Sequence, residues 1–237
     1  MVHIRNFLST PNYNPPVLMY NQTMLLLIAE IKQLLHHKNL LWQMVGREVK
    51  ARYKQSILGY FWVILNPLAQ MLVMSFAFSL IMRIPTAANA NIPYSVFLFT
   101  ALLPWTLFSG SLSSASNSLV ASSSLITKVY FPRIILVLAT IMAKIIDFLF
   151  ASTILIAFLI IYHIPITLSV FWVIPIFIIQ QIFTLGLSLF LSAANLMYRD
   201  IQYLLGLILM LWMYLTPIIY PVTLFRLDFV LFINSIP

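Results

Sequence analysis

The chain has 237 residues, 62% of them hydrophobic and only 8% charged, with a mean hydropathy of +1.00 and a net charge of +8. A soluble domain carries about a quarter charged residues, so this chain cannot clothe a water-facing surface and reads as an integral membrane protein. It has no cysteine and four scattered histidines, which excludes disulfides and thiolate metal sites, and the excess of positive charge is the bias of cytoplasmic membrane loops rather than a nucleic-acid footprint.

Residues 1 to 38 form a polar N-terminal cytoplasmic extension containing Pro11, Pro15 and Pro16. Its apolar patch, Met24 to Ile31, is too short to span a bilayer, and residues 1 to 23 are polar with no apolar core of a signal peptide. Residues 39 to 56 are basic and amphipathic. Leu41, Met44, Val45, Val49 and Tyr53 recur at helical spacing, and Arg47, Lys50 and Lys54 fall on another side, the pattern of a helix lying in the headgroup region. A turn near Ser56 to Gly59 then admits the chain to the bilayer.

Five apolar segments follow, all long enough to cross as helices. The first is Ile57 to Met82, interrupted by Asn66–Pro67; the second is Tyr94 to Ser113, with Pro104 inside. A serine-rich and then basic stretch, residues 109 to 133, leads to the third, Ile134 to Tyr162. The fourth is Leu168 to Met197, "YRD" (Tyr198, Arg199, Asp200) makes a tight cytoplasmic turn, and the fifth is Ile201 to Pro221. With the N-terminus in the cytoplasm, the inside segments hold ten Lys and Arg residues and the outside segments hold only Arg83 and Arg226, which favours that orientation.

The chain has no phosphate-cradling glycine loop, no nucleophile elbow and no zinc-protease helix, and its five acids do not pair. It reads as no enzyme, with no cofactor of its own, and work against a gradient must draw on a partner or an ion.

Lys144 and Asp147 stand at i, i+3 in the third span. A charge there costs about 2.5–3.5 kcal/mol on insertion scales, so the two either neutralise each other or line a pore or gate. Asn66 and Gln70, at i, i+4 around Pro67, polarise the first span for interhelical hydrogen bonds or for a conduit. Tyr60, Trp62, Trp105, Trp212, Tyr214 and Tyr220 lie near span ends as an interfacial belt would; Trp212 and Tyr214 sit deeper in theirs and are candidates for stacking on sugar rings. Within "LITKVYFPR", Leu125, Lys128, Val129, Tyr130, Phe131 and Arg133 make a cytoplasmic docking surface or a membrane anchor.

Four stretches in order, "REVKARYKQSILGYFWVILNPL", "LPWTLFSGSLSSASNSLV", "LITKVYFPRIILVLATIMAKIIDF" and "NLMYRDIQYLLGLILMLWMYLTPIIYP", resemble the type-2 ABC transporter permeases that export O-antigen, capsule and teichoic acid. The resemblance spans residues 40 to 225 within a permease domain of 39 to 237. It implies a homodimer in the cytoplasmic (inner) membrane with two separate ATPase subunits that use ATP and Mg, and a lipid-linked polysaccharide as substrate. It also implies an amphipathic interface helix at Arg47 to Lys54, a coupling helix within residues 117 to 133, and a conduit lined by spans one and five. Arg47, Lys50, Arg52, Trp62, Asn66, Gln70, Trp212 and Tyr214 are then the candidate substrate path and headgroup contacts. The basic face would anchor to lipid phosphates, or receive the anionic pyrophosphate of the substrate. The family's sixth span is expected to be missing after Phe225. Two other readings share the sequence: a type-2 permease for a smaller lipid or drug, and a non-transporting scaffold of a glycan-assembly complex.

Overall fold

The computed structural model describes residues 37–53, 56, 58–59, 61–77, 93–129, 131–165 and 167–219. By its internal contacts the chain divides into Met1–Leu40 and Leu41–Pro237. Only residues 37–40 of the first unit are described. The described residues contain seven α-helices and no strand: α1 (Lys38–Tyr53), α2 (Phe61–Ser75), α3 (Tyr94–Ala121), α4 (Ser123–Lys128), α5 (Ile134–Ile161), α6 (Val173–Met197) and α7 (Ile201–Leu215).

Three stretches are long and apolar enough to cross a membrane: α3, α5, and α6 together with the 3-10 turn Leu168–Trp172 before it. The helices α2 and α7 are apolar but shorter. The expected first span thus appears as Phe61–Ser75, and Tyr60 and residues 78–82 lie outside the described part. The expected fifth span stops at Leu215 because Pro217 follows. The residue before a proline is pushed out of the helical region, and Thr216 is extended at φ −89 and ψ 139.

The second span corrects the expectation most. It runs on through the serine-rich stretch to Ala121, eight residues past Ser113. Serine normally disfavours helix interiors because its hydroxyl competes for backbone groups. Here that competition is settled within the helix: Ser109 Oγ donates to Trp105 O at 2.8 Å, Ser116 Oγ to Ser113 O at 3.0 Å and Ser118 Oγ to Ala115 O at 2.7 Å. Small side chains also let neighbours approach closely.

Helix α3 is the hub, packed against α2, α5, α6 and α7. At one end Leu98, Phe99, Leu102 and Leu103 are buried with Met71 of α2, Ala151 of α5 and Ile218. Farther along α3, Phe108 and Leu112 pack on Leu205 and Leu209 of α7, and Ala115 packs on Val137 and Ile141 of α5. The Tyr94 hydroxyl donates to Ile219 O, fastening the end of α7 to the start of α3.

Helix α6 inverts the pattern of a soluble helix. Its buried residues are Thr184, Ser188, Ser192 and Asn195, while Ile178, Ile179, Ile182, Phe183 and Phe190 are exposed. A lipid-facing helix gains nothing by hiding apolar groups, so the small and polar stripe faces protein. Asn195 Nδ2 donates to Ser116 O at 3.0 Å and Gln180 Nε2 to Pro104 O at 2.8 Å.

The amphipathic helix α1 sits on protein. Val45 and Val49, flanked by Leu41 and Met44, form one cluster with Ala139 and Ala143 of α5. A turn with Gly59 N donating to Ser56 O at 3.3 Å, and Gly59 at φ +51, joins α1 to α2 where the sequence placed it.

Candidate functional site

The end of α1 and the faces of α2, α3 and α5 enclose a cleft of about 340 Å³. Helical spacing explains its lining. Trp62, Asn66 and Gln70 stand at i, i+4, i+8 on α2 and share one stripe, with Pro67 beside them. From α5 come Lys144, Asp147 and Ala151, again one face. Helix α3 adds Leu103, Thr106 and Leu107. Trp62, Asn66 and Gln70 are exposed and form the open side. The charged groups sit deeper.

Those charges form a three-membered cluster. Arg52 Nη1 donates to Asp147 Oδ2 at 2.7 Å. Lys144 Nζ lies 3.9 Å from the same oxygen, too far for a good hydrogen bond. The expected Lys144–Asp147 contact is therefore longer than the one Asp147 makes with Arg52, 95 residues away. The side chains of Arg52 and Asp147 are only 20% and 17% exposed, so the pair is largely withdrawn from solvent. Among the described residues, two cations face one carboxylate there. Arg52 Nη2 is buried with no hydrogen-bond partner among the described residues. The Lys144 stem lies across Gly110 of α3, where an added Cβ would meet Lys144 Cε at 3.5 Å.

Six sequence candidates therefore meet in one cleft: Arg52, Trp62, Asn66, Gln70, Lys144 and Asp147. The others lie elsewhere. Arg47 is exposed and donates from Nη2 to Ser122 Oγ at 3.1 Å and to Glu48 Oε1 at 3.4 Å. Lys50 is exposed on α1. Trp212 is half-buried in an aromatic cluster, edge-on to Trp105 at 6.4 Å and to Phe108 at 5.4 Å. Tyr214 is exposed on α7. Neither Trp212 nor Tyr214 lines the cleft.

The docking stretch splits into two kinds of residue. Helix α4 carries no buried residue, Lys128, Val129 and Arg133 are exposed and Leu125 is half-buried. Phe131 is turned inward and buried. Tyr130 lies outside the described residues, as does Lys54. Arg199 and Asp200 are exposed in the turn before α7, where Ile201 N donates to Tyr198 O at 3.1 Å. Thr106, Gly110 and Ser122 belong to the site or its supports and the sequence reading passed over them.

One signal for the Arg52 contact was present in the sequence. Positions 45, 49 and 52 follow i, i+4, i+7 spacing, so Arg52 continues the apolar stripe of α1. A cation on an apolar stripe implies a buried anion opposite.

The ABC-2 type transporter family model matches residues 39–236. Two proteins of Klebsiella pneumoniae named O-antigen export system permease protein RfbA are 39% and 38% identical over 184 residues, 77% of this chain and 69% of theirs. A protein of the same name from Myxococcus xanthus is 33% identical over 198 residues, 83% of this chain and 74% of its own. A family match across most of the chain, with relatives above 30% identity, leaves one conclusion: the chain belongs to the ABC-2 type transporter family of membrane permeases.

Proposed function

We propose that the chain is the permease subunit of an ATP-driven exporter that carries a lipid-linked polysaccharide of the O-antigen class across the cytoplasmic membrane. The observation that carries this reading is the family match over residues 39–236, together with relatives named as O-antigen export permeases. In this reading α2, α3, α5, α6 and α7 are five spans and the N-terminus is cytoplasmic. Two copies pair around the glycan path, and two separate ATPase subunits supply ATP hydrolysis with Mg. The exposed α4 and the residues after it, Lys128, Val129 and Arg133, receive the ATPase.

The cleft is the entry for the anionic end of the substrate. A phosphate-bearing headgroup matches the two cations in its lining, Arg52 and Lys144. Asn66, Gln70 and the Trp62 ring offer hydrogen bonds and a stacking face at its open side. The test is replacement in the native host: delete the gene, return it on a plasmid, and stain intact cells for surface polysaccharide. Loss on deletion and recovery on return support the reading. Unchanged surface polysaccharide in the deletion strain refutes it.

A further inference from the structure

Helix α4 carries no buried residue, so side-chain packing does not set its direction. Its two flanks are held instead. Phe131, after its end, and Ser122, before its start, are both buried. We propose that Arg47 of α1 is the positioning residue for α4: by holding the Ser122 hydroxyl it fixes the angle at which α4 leaves α3. That α4 receives an ATPase rests on the proposed function; the angle does not.

Ser122 is the pivot between the two helices. Its N–H donates to Ser118 O at 3.2 Å and closes α3. Its carbonyl accepts from Leu125 N at 3.0 Å and Ile126 N at 3.1 Å and opens α4. Its own backbone, at φ −104 and ψ 19, breaks the helix between Ala121 and Ser123. A serine at the head of a helix ordinarily turns its hydroxyl to a free N–H of the first turn. Ser122 makes no such bond. Its hydroxyl accepts instead from Arg47 Nη2 at 3.1 Å, across 75 residues of chain.

Arg47 is well placed to hold that pivot. It rides on a helix seated elsewhere in the bundle, through Val45 and Val49 against Ala139 and Ala143 of α5. Helix α5 opens at Ile134, just beyond Phe131, so α1 grips the chain on both sides of α4. Helix α3 has no basic residue in its last turn, although the carbonyls at a helix's C-terminal end favour a cation. Arg47 supplies that cation from another helix. Its contact with Glu48 Oε1 at 3.4 Å is to a chain neighbour and fixes nothing outside α1.

The test reads the angle directly. Lys128 on α4 and Arg199 in the turn before α7 are exposed, and the chain has no cysteine, so Lys128→Cys with Arg199→Cys accepts a pair of spin labels. Co-expression with an excess of the cysteine-free parent leaves one labelled copy per particle even where copies pair. Electron double resonance in mild detergent then gives the α4-to-bundle distance distribution. Arg47→Met and Ser122→Ala should each widen it at least about twofold, and the double variant no further than the larger single effect, because both remove one contact. Folded recovery should stay within about twofold of the parent, as for most exposed or single-hydroxyl changes. Glu48→Gln should leave the width as in the parent. A parent-like width in Ser122→Ala, a widening by Glu48→Gln equal to that of Arg47→Met, or widths that add in the double variant would each overturn the proposal. Ser122→Ala removes a hydroxyl that makes no cap bond, so its result stands by itself where Arg47→Met does not fold.

Discussion

Asp147→Leu removes the anion that Arg52 and Lys144 share among the described residues and leaves the two cations facing each other inside the bundle. Breaking a fully buried ion pair by deleting one partner costs about 3–5 kcal/mol. Here Arg52 and Asp147 keep 20% and 17% of their side-chain surface, and both cations have long stems that can turn toward the open cleft. We therefore expect about 2 kcal/mol, roughly a 30-fold shift of the folding equilibrium. Asp147→Asn retains an acceptor for Arg52 Nη1 and should cost about 1 kcal/mol, the worth of a neutral hydrogen bond. Lys144→Met removes only the 3.9 Å contact and should cost less than about 0.5 kcal/mol, as a solvent-screened pair does. The assay is SDS titration of the purified chain in mixed micelles, followed by near-ultraviolet circular dichroism. The order Leu, Asn, Met is the content of the prediction. An Asp147→Leu chain as stable as the parent, or a Lys144→Met chain less stable than the Asp147→Leu chain, would refute Arg52 as the closer partner of Asp147 than Lys144.

Gly110→Ala should be tolerated, since its Cβ meets Lys144 at ordinary contact distance, while Gly110→Leu should displace the Lys144 stem and destabilise the chain by about 1–3 kcal/mol in the same titration. Gln180→Met gives up the bond to Pro104 O and should cost about 0.6 kcal/mol and no more than about 1.7, the range for interhelical hydrogen bonds in membranes; a larger loss would mean that Gln180 does more than join α6 to α3. Asn66→Leu with Gln70→Leu should leave folded yield within about twofold of the parent, because both side chains are exposed and surface changes are usually small. The same variant should lower surface polysaccharide in the complemented deletion strain. Full export by it would remove the α2 stripe from the substrate path.

Much of the fold was legible because lipid imposes one rule on every span. The third segment, Ile134 to Tyr162, matches α5 to within a residue because nothing inside it competes with the helix. The second runs eight residues past Ser113, because its serine hydroxyls bond back within the helix and residue type alone does not report that. Only packing against α5 and α6 reveals hydroxyls folded back onto their own helix. In the site, the i, i+4 stripe on α2 and the Lys144–Asp147 spacing were both readable, since each lies within one helix. Their meeting with Arg52 was not. No local pattern reports a contact across 95 residues, although Arg52 on the apolar stripe of α1 hinted at one. Trp212 shows another limit: its depth in the span is readable, and its edge-on packing against Trp105 and Phe108 is not.

The most direct measurement is translocation by a purified system. The chain would be co-expressed with the ATPase subunit proposed for it, reconstituted into vesicles of bacterial lipid, and supplied with a lipid-linked polysaccharide on the ATPase-bearing face. A lectin or antibody that cannot cross the bilayer reports glycan on the other face. We expect glycan to appear there only with ATP and Mg, and not with an ATPase whose hydrolysis is disabled. ATP turnover with no glycan crossing, or crossing that needs no ATP, would contradict the assignment of this chain as an ATP-driven polysaccharide permease.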